Sequence, residues 1–270
     1  MKKIRLDVVL SERNLVDSRE SAQRYIRAGK VLIDEVVTDK PGIKIAADAN
    51  IRILLPKTAF VSRGGDKLDG ALETFHLNVN GLTAADLGAS TGGFTDCLLQ
   101  RGAKKVYAVD VGRGQLAYPL QTDSRVIVMD NTNCRYLDAD ALGEAVDLVV
   151  ADLSFISLKT VFPAIESILK PSGFAVLLVK PQFEIGKGKV GKKGIVREKS
   201  DHVAVLMDCY RFFGEKTWSI SQLAPSNIQG KTGNMEFLIH VSPQETKQSI
   251  VPDDIEAIVN KAHETYRKAT

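Results

Sequence analysis

The sequence predicts an α/β protein: a mostly parallel sheet covered by helices on both faces, preceded by a small α+β module. Three observations predict it. Apolar strand signals alternate with helical segments from residue 82 onward, as parallel β-α-β units require. A glycine-rich loop, Asp86-Leu-Gly-Ala-Ser-Thr-Gly-Gly-Phe94, follows the apolar lead 82–85 and precedes the acid-ended strand Val106-Tyr-Ala-Val-Asp110. The front of the chain has its own pattern and charge, with twelve Lys or Arg against eight Asp or Glu in residues 1–60. A chain of 270 residues accommodates one large domain and a small one.

In the front module, apolar residues at 4, 6, 9 and 10 predict a first helix that packs one face. Asp17 or Ser18 caps a second helix over 20–28, with Ala22, Tyr25 and Ile26 on one side and Gly29 as its stop. Arg19, Gln23, Arg24, Arg27 and Lys30 surround its exposed part and exit, where cationic groups can meet successive phosphates. Residues 31–37 read as a hairpin turning at Asp34-Glu35, Lys40-Pro41-Gly42 as a turn, and 51–55 as a closing strand. Arg5-Leu-Asp7, Ser18-Arg19, Ile26-Arg-Ala-Gly-Lys-Val31 and Val-Val-Thr-Asp-Lys-Pro41 together resemble an S4-like RNA-binding domain over residues 1–58. The resemblance implies that the basic second helix grips structured RNA through its backbone, with Arg5, Arg19, Arg24, Arg27 and Lys30 as contacts. A small appendage used for dimerisation is the competing reading.

A linker over 59–66 leads to a catalytic domain expected over 67–245. A helix over 69–75 turns Leu68, Ala71, Leu72 and Phe75 inward. Strands are expected at 82–86, 105–110, 126–129, 148–152 and 174–180, and helices at 94–100, 114–120 and 158–169. A further helix starts near Ser200 or Asp201 and runs to Phe213, and Pro252 opens a terminal helix within residues 246–270. In such a sheet the ligand sits over the carboxyl ends of the strands.

Gly88, Gly92 and Gly93 let the loop turn tightly and approach a nucleoside-bearing cofactor, and Asp110 can accept hydrogen bonds from its ribose diol. The loop does not match the Gly-x-Gly-x-x-Gly of dinucleotide dehydrogenases. It resembles the first motif of methyltransferases that use S-adenosylmethionine, specifically those acting on ribose 2′-hydroxyls. That resemblance implies a Rossmann-like class I fold with a seven-stranded, mostly parallel sheet. It also implies cofactor contacts from Asp86, Gly88, Ala89, Ser90, Gly92, Gly93, Phe94 and Asp110, with Asp130 at the adenine amino group.

An alcohol is a poor nucleophile at neutral pH, so 2′-O-methylation demands alignment and a proton acceptor. Asp152 in Val-Ala-Asp-Leu-Ser-Phe155 and Lys180 in Leu-Val-Lys-Pro-Gln-Phe183 each end a very apolar run, at the active edge of the sheet. With Lys67 and Glu236 they match the Lys-Asp-Lys-Glu tetrad of the 2′-O-ribose methyltransferases, residue by residue. Lys180 is assigned as proton acceptor, Asp152 and Glu236 as groups that orient and tune the lysines, and Lys67 as the cation near the substrate ribose. Phe155, Pro181, Gln182 and Phe183 flank the site, where they either shape a pocket for an extruded nucleotide or pack as ordinary core.

Residues 184–197 hold five Lys or Arg and four Gly, a basic segment suited to RNA through Lys187, Lys189, Lys192, Lys193 and Arg197. Arg63, in Ser62-Arg-Gly-Gly-Asp-Lys-Leu68, joins that expected footprint. The whole set of motifs, ending with Gly233-Asn-Met-Glu-Phe237, resembles the bacterial TlyA family across nearly the full chain. The resemblance implies methylation of cytidine 2′-hydroxyls in ribosomal RNA, 23S rRNA first and 16S rRNA as the further option, with ribosomal RNA or ribosomal subunits as partners. Three cysteines and four histidines lack metal-ligand spacing, so no metal site is expected. The longest apolar run, 174–179, falls far short of a membrane span. A cytoplasmic protein without stable membrane association is therefore expected; the sequence leaves the oligomeric state open, with a monomer favoured. Members of the family also carry the name hemolysin, and an RNA-binding assembly protein without turnover is the other competing class.

Overall fold

The computed structural model describes residues 3–268 except 14, 17–18, 47, 54–59, 187–189, 192–193 and 244–249; the side chains of 21, 24, 267 and 268 are also outside the description. The chain divides into two compact units, residues 1–58 and 59–270.

In the first unit, strand β1 (Lys3–Arg5) runs into helix α1 (Leu6–Glu12), and helix α2 (Arg19–Arg27) follows. The single helix expected from residue 4 is thus a short strand and then a helix. The backbone at 3–5 is drawn into an antiparallel pair with β4 (Lys44–Ala46), a long-range partner that the local pattern does not reveal. Gly29, at φ +65°, stops α2, and Lys30 N–H donates back to Tyr25 O at 3.0 Å. Strands β2 (Val31–Ile33) and β3 (Val36–Thr38) form the expected hairpin, with Asp34 and Glu35 both at positive φ, the twist that two-residue hairpin turns prefer. Strand β5 (Ile51–Ile53) closes the sheet on β2. Leu6, Leu10, Ala22, Ile26, Val31 and Ile45 make the core.

The second unit holds a seven-stranded sheet. In chain order its strands are β6 (Thr83–Leu87), β7 (Lys105–Val109), β8 (Val126–Met129), β9 (Val146–Ala151), β10 (Leu169–Val179), β11 (Ser219–Pro225) and β12 (Phe237–Ser242). Their spatial order is β11-β12-β10-β9-β6-β7-β8, parallel from β10 to β8, with β12 antiparallel to both β10 and β11. Neighbouring residues of the central strands enter opposite cores. Leu148 and Val150 face Leu68, Leu72 and Leu98, whereas Val149 and Ala151 face Phe162, Phe213 and Ile255. Burial on both faces explains why β9 and β10 read as continuous apolar runs.

Helices α3 (Arg63–Thr74) and α4 (Gly93–Gln100) cover one face; α7 (Leu158–Ile168), α9 (Lys199–Glu215) and α10 (Pro252–Lys268) cover the other. Helix α3 begins earlier than the residue pattern predicts, because Ser62 caps it by accepting from Gly64 N–H. The helix expected over 114–120 shrinks to α5 (Tyr118–Gln121), since Gly112 and Gly114 hold the chain in a loop whose amides donate to Asp110 and Asp130. Short α6 (Ala139–Leu142) and α8 (Pro181–Glu184) complete the set. Cys97, Cys134 and Cys209 are buried free thiols.

Candidate active site

Four polar residues end up on the carboxyl edge of the sheet as two ion pairs. Lys180, directly after β10, reaches Asp152, directly after the neighbouring β9, with Nζ 2.5 Å from Oδ1. Lys67, one turn into α3, donates to Glu236 Oε2 at 2.6 Å, and Glu236 directly precedes β12. Both lysines are about 90% shielded, and Glu236 is more so. Helix α3 joins the pairs: a Cβ on Gly64 would lie 3.7 Å from Asp152 Oδ2, and Lys67 follows on the same helical face. Glu236 is seated as tightly, since a Cβ on Gly230 would fall 2.3 Å from its Oε1. Buried charges of this kind persist only when paired.

Sequence reasoning missed several residues that hold this arrangement. Lys180 Nζ also donates to Ser154 Oγ at 3.1 Å. Glu184 accepts from Ser157 Oγ at 2.6 Å and Leu158 N–H at 2.8 Å, tying the segment after Lys180 to the one after Asp152. Burial raises the Glu184 carboxyl above its ordinary range. Both residues lie inside or just beyond motifs already singled out, but only the pairing of β9 with β10 reveals their partners. Phe155 is 89% exposed at φ +64°, an uncommon conformation for a bulky side chain, and its ring leans on Phe183 at 5.1 Å. It is therefore not core. Lys180 Nζ lies 5.9 Å from the centre of the Phe183 ring.

The glycine loop divides into a rim and a foundation. On the rim, Gly88 (φ +85°) allows contact with the Asp152 carbonyl, and Ala89 N–H donates to Val109 O at 3.1 Å. Ser90, at φ +49°, donates its N–H to Asp110 Oδ2 at 2.8 Å. The other Asp110 oxygen accepts from Gly112 N–H, and Asp130 accepts from Gly114 N–H, each at 2.7 Å. In the foundation, Gly92 (φ +94°) makes room for Leu116 and Leu120, Gly93 lets α4 close on Ser62, and Phe94 is buried. These three residues shape the loop through packing. Asp86 is fully buried, with Oδ2 accepting from Thr95 N–H and Oγ1 while Oδ1 has no partner. Burial pushes its carboxyl up to about 7, Thr95 opposes the rise, and Asp152 and Asp110 add to it.

These residues fit S-adenosylmethionine. Acidic oxygens at the ends of β7 and β8 suit a ribose diol and an adenine amino group, and the orphaned Asp86 oxygen suits a nearby positive charge. Among the described residues no cluster of ligands could hold a metal ion, and no helix is long and apolar enough to cross a membrane.

The expected RNA contacts are unevenly described. In the first unit Arg5 and Arg19 both donate to the buried Asp7 carboxylate at 3.0 Å, joined by Gln23 at 2.9 Å. The Arg5 hydrogen bond holds that carboxyl well below the usual range despite its burial. Arg19 and Gln23 thereby brace α2 against α1, and Arg5 ties the end of β1 to α1; both arginines remain about half exposed. Arg27 is exposed and Lys30 partly buried, and the Arg24 side chain lies outside the described residues. In the second unit Arg63 donates to Gln229 O at 2.9 Å and Arg197 is exposed, whereas Lys187, Lys189, Lys192 and Lys193 lie outside the described residues.

Comparison with known proteins agrees with this geometry. Residues 60–242 match the FtsJ-like methyltransferase family, and residues 4–51 match the S4 domain. The chain is 42% identical over 262 residues to the 16S/23S rRNA (cytidine-2′-O)-methyltransferase TlyA of Mycobacterium tuberculosis, covering 97% of each protein. It is 38% identical over 245 residues to Hemolysin A of Brachyspira hyodysenteriae, covering 88% of this chain and 99% of that one. A solved Streptococcus thermophilus structure, described as a hemolysin, superposes with a TM-score of 0.82 at 43% identity, covering 100% of this chain and 98% of that one. The chain thus belongs to the FtsJ-like family of S-adenosylmethionine-dependent methyltransferases, with an S4 domain ahead of its catalytic unit.

Proposed function

We propose that this protein methylates the ribose 2′-hydroxyl of cytidine in ribosomal RNA, and that Lys67, Asp152, Lys180 and Glu236 carry the chemistry. The observation that carries the reading is the pair of shielded lysine–carboxylate contacts at one sheet edge, beside a loop built for a nucleoside cofactor. The named substrate of the 42% identical relative supports the choice of cytidine in 16S and 23S rRNA.

Bound S-adenosylmethionine supplies an electrophilic methyl group. Lys180 Nζ would take the hydroxyl proton as the ribose oxygen accepts the methyl group that the cofactor would supply, with the demethylated cofactor as leaving group. Lysine takes up a proton only in its neutral form, and the contacts with Asp152 and Ser154 fix where Nζ points. Lys67, anchored by Glu236, stabilises charge building on the oxygen, and its shielding strengthens that effect. Asp110 and Asp130 hold the nucleoside end of the donor. Phe155, exposed beside Asp152 and backed by Phe183, offers a stacking surface for an extruded base. The basic groups of the S4 domain and of residues 184–197 hold the RNA backbone.

The test is transfer of labelled methyl from S-adenosylmethionine to purified 30S and 50S subunits and to deproteinised rRNA. Wild type labels the RNA, and Lys180→Ala loses about a hundredfold or more in rate while still binding RNA, the usual scale for a missing general base. Unlabelled RNA in the presence of bound cofactor would defeat the reading, as would normal turnover by Lys180→Ala.

A further inference from the structure

The exit of the basic segment is fastened to the same knot that seats Glu236. Asn234 has no exposed surface, and its side-chain amide uses both ends. Oδ1 accepts from Val196 N–H at 2.9 Å, and Nδ2 donates to Gly194 O and to Thr232 Oγ1, each at 2.9 Å. The main chain of Asn234 accepts from Gly230 N–H at 3.0 Å, and Gly230 is the residue that packs against the Glu236 carboxylate. Gly233 N–H closes the turn on Gly230 O at 2.9 Å. Residues 230–234 therefore form one hydrogen-bonded unit, and Glu236 follows two residues on with its carboxylate packed against Gly230. The Asn234 side chain joins that unit to residues 194–196, and exposed Arg197 comes next.

We infer that Asn234 is a positioning residue that couples RNA contact at the end of the basic segment to the Lys67–Glu236 pair. The inference rests on the methyl-transfer reading above. A pull on residues 194–196 has a short path to Glu236: through the Asn234 amide to its carbonyl, then through Gly230 to the carboxylate. Substrate engagement thereby sets the geometry of Lys67, and a loosened tether slows the chemical step without weakening RNA or cofactor binding. Asparagine is required because one site must be accepted from and another donated to. Aspartate keeps the shape but turns the Gly194 contact into repulsion between two oxygens.

The experiment is a double-mutant cycle in the full-length protein, with 50S and 30S subunits as substrate. Asn234→Ala and the isosteric Asn234→Asp are each combined with Arg197→Ala. The coupling predicts that both Asn234 variants lose about tenfold or more in kcat, with KM for subunits and Kd for S-adenosylmethionine within about twofold of wild type. It also predicts that the kcat effect of Arg197→Ala largely disappears once Asn234 is changed. Additive kcat losses overturn the inference, as does a raised KM at unchanged kcat. If the alanine variant does not fold, the aspartate variant carries the same cycle. Wild type that binds cofactor but labels no RNA defeats the functional reading instead, a result the cycle distinguishes because no kcat then exists to compare.

Discussion

Replacing Asp86 by Asn should remove a large part of the pH dependence of the catalytic unit's stability. Asp86 has no exposed surface, one of its oxygens has no partner, and burial raises its carboxyl from the ordinary 3.8 to about 7. At about 1.4 kcal/mol per pH unit, that rise corresponds to on the order of 4 kcal/mol. The native protein holds this proton more tightly than the unfolded chain does. Its stabilising contribution is therefore complete below about pH 4 and is lost as pH rises through 7. Asparagine keeps the acceptor for Thr95 and cannot titrate, but it leaves a buried N–H without a partner, a cost of about 1–3 kcal/mol that is the same at every pH. The difference between pH 5 and pH 8 cancels that constant. Trp218 is the only tryptophan and is buried in the same unit, so its fluorescence reports the relevant unfolding in urea. Without cofactor, the loss of stability from pH 5 to pH 8 should be smaller in Asp86→Asn than in wild type by a few kcal/mol. Equal pH dependence in the two proteins would refute the argument.

Two further substitutions separate seating from recognition. Gly230→Ala places a methyl 2.3 Å from Glu236 Oε1, so the carboxylate must shift and its contact with Lys67 is displaced; methyl transfer should fall about a hundredfold with RNA binding retained, the usual cost of roughly 1 Å of misplacement. Wild-type rates in that variant would show that the Lys67–Glu236 contact is dispensable. Arg27→Ala should weaken association with RNA about equally across sequences and lower the slope of log K against log salt by about one phosphate's worth. Filter binding between 50 and 200 mM salt, on the scale over which phosphate contacts respond, measures it; an unchanged slope would remove Arg27 from the interface.

Much of the architecture was legible because it is written in local pattern. The Gly29 stop, the Asp34-Glu35 turn and the apolar runs ending at Asp152 and Lys180 reflect backbone conformation and burial, which neighbouring residues encode. The tetrad was legible as a family motif, and its convergence required the sheet. What escaped was non-local. Strand β1 exists because β4, some forty residues away, pairs with it. Arg5 and Arg19 looked like surface cations until the fold enclosed Asp7 between them. A loop glycine serves close helix packing and close ligand approach equally well, so local pattern does not show that Gly92 seats Leu116 and Leu120 or that Gly93 lies against Ser62. Ser154, Glu184 and Asn234 are polar residues whose partners lie 26, 27 and 38 positions away, a separation no sequence window spans.

The central claim is that the methyl group arrives on a sugar oxygen. Alkaline cleavage of RNA requires a free 2′-hydroxyl, so labelled product RNA should be hydrolysed in alkali and its fragments separated by size. The account predicts that the label resides in an alkali-stable dinucleotide whose 5′ member is cytidine. Label recovered in a single nucleotide, with the methyl group on the base, would contradict it.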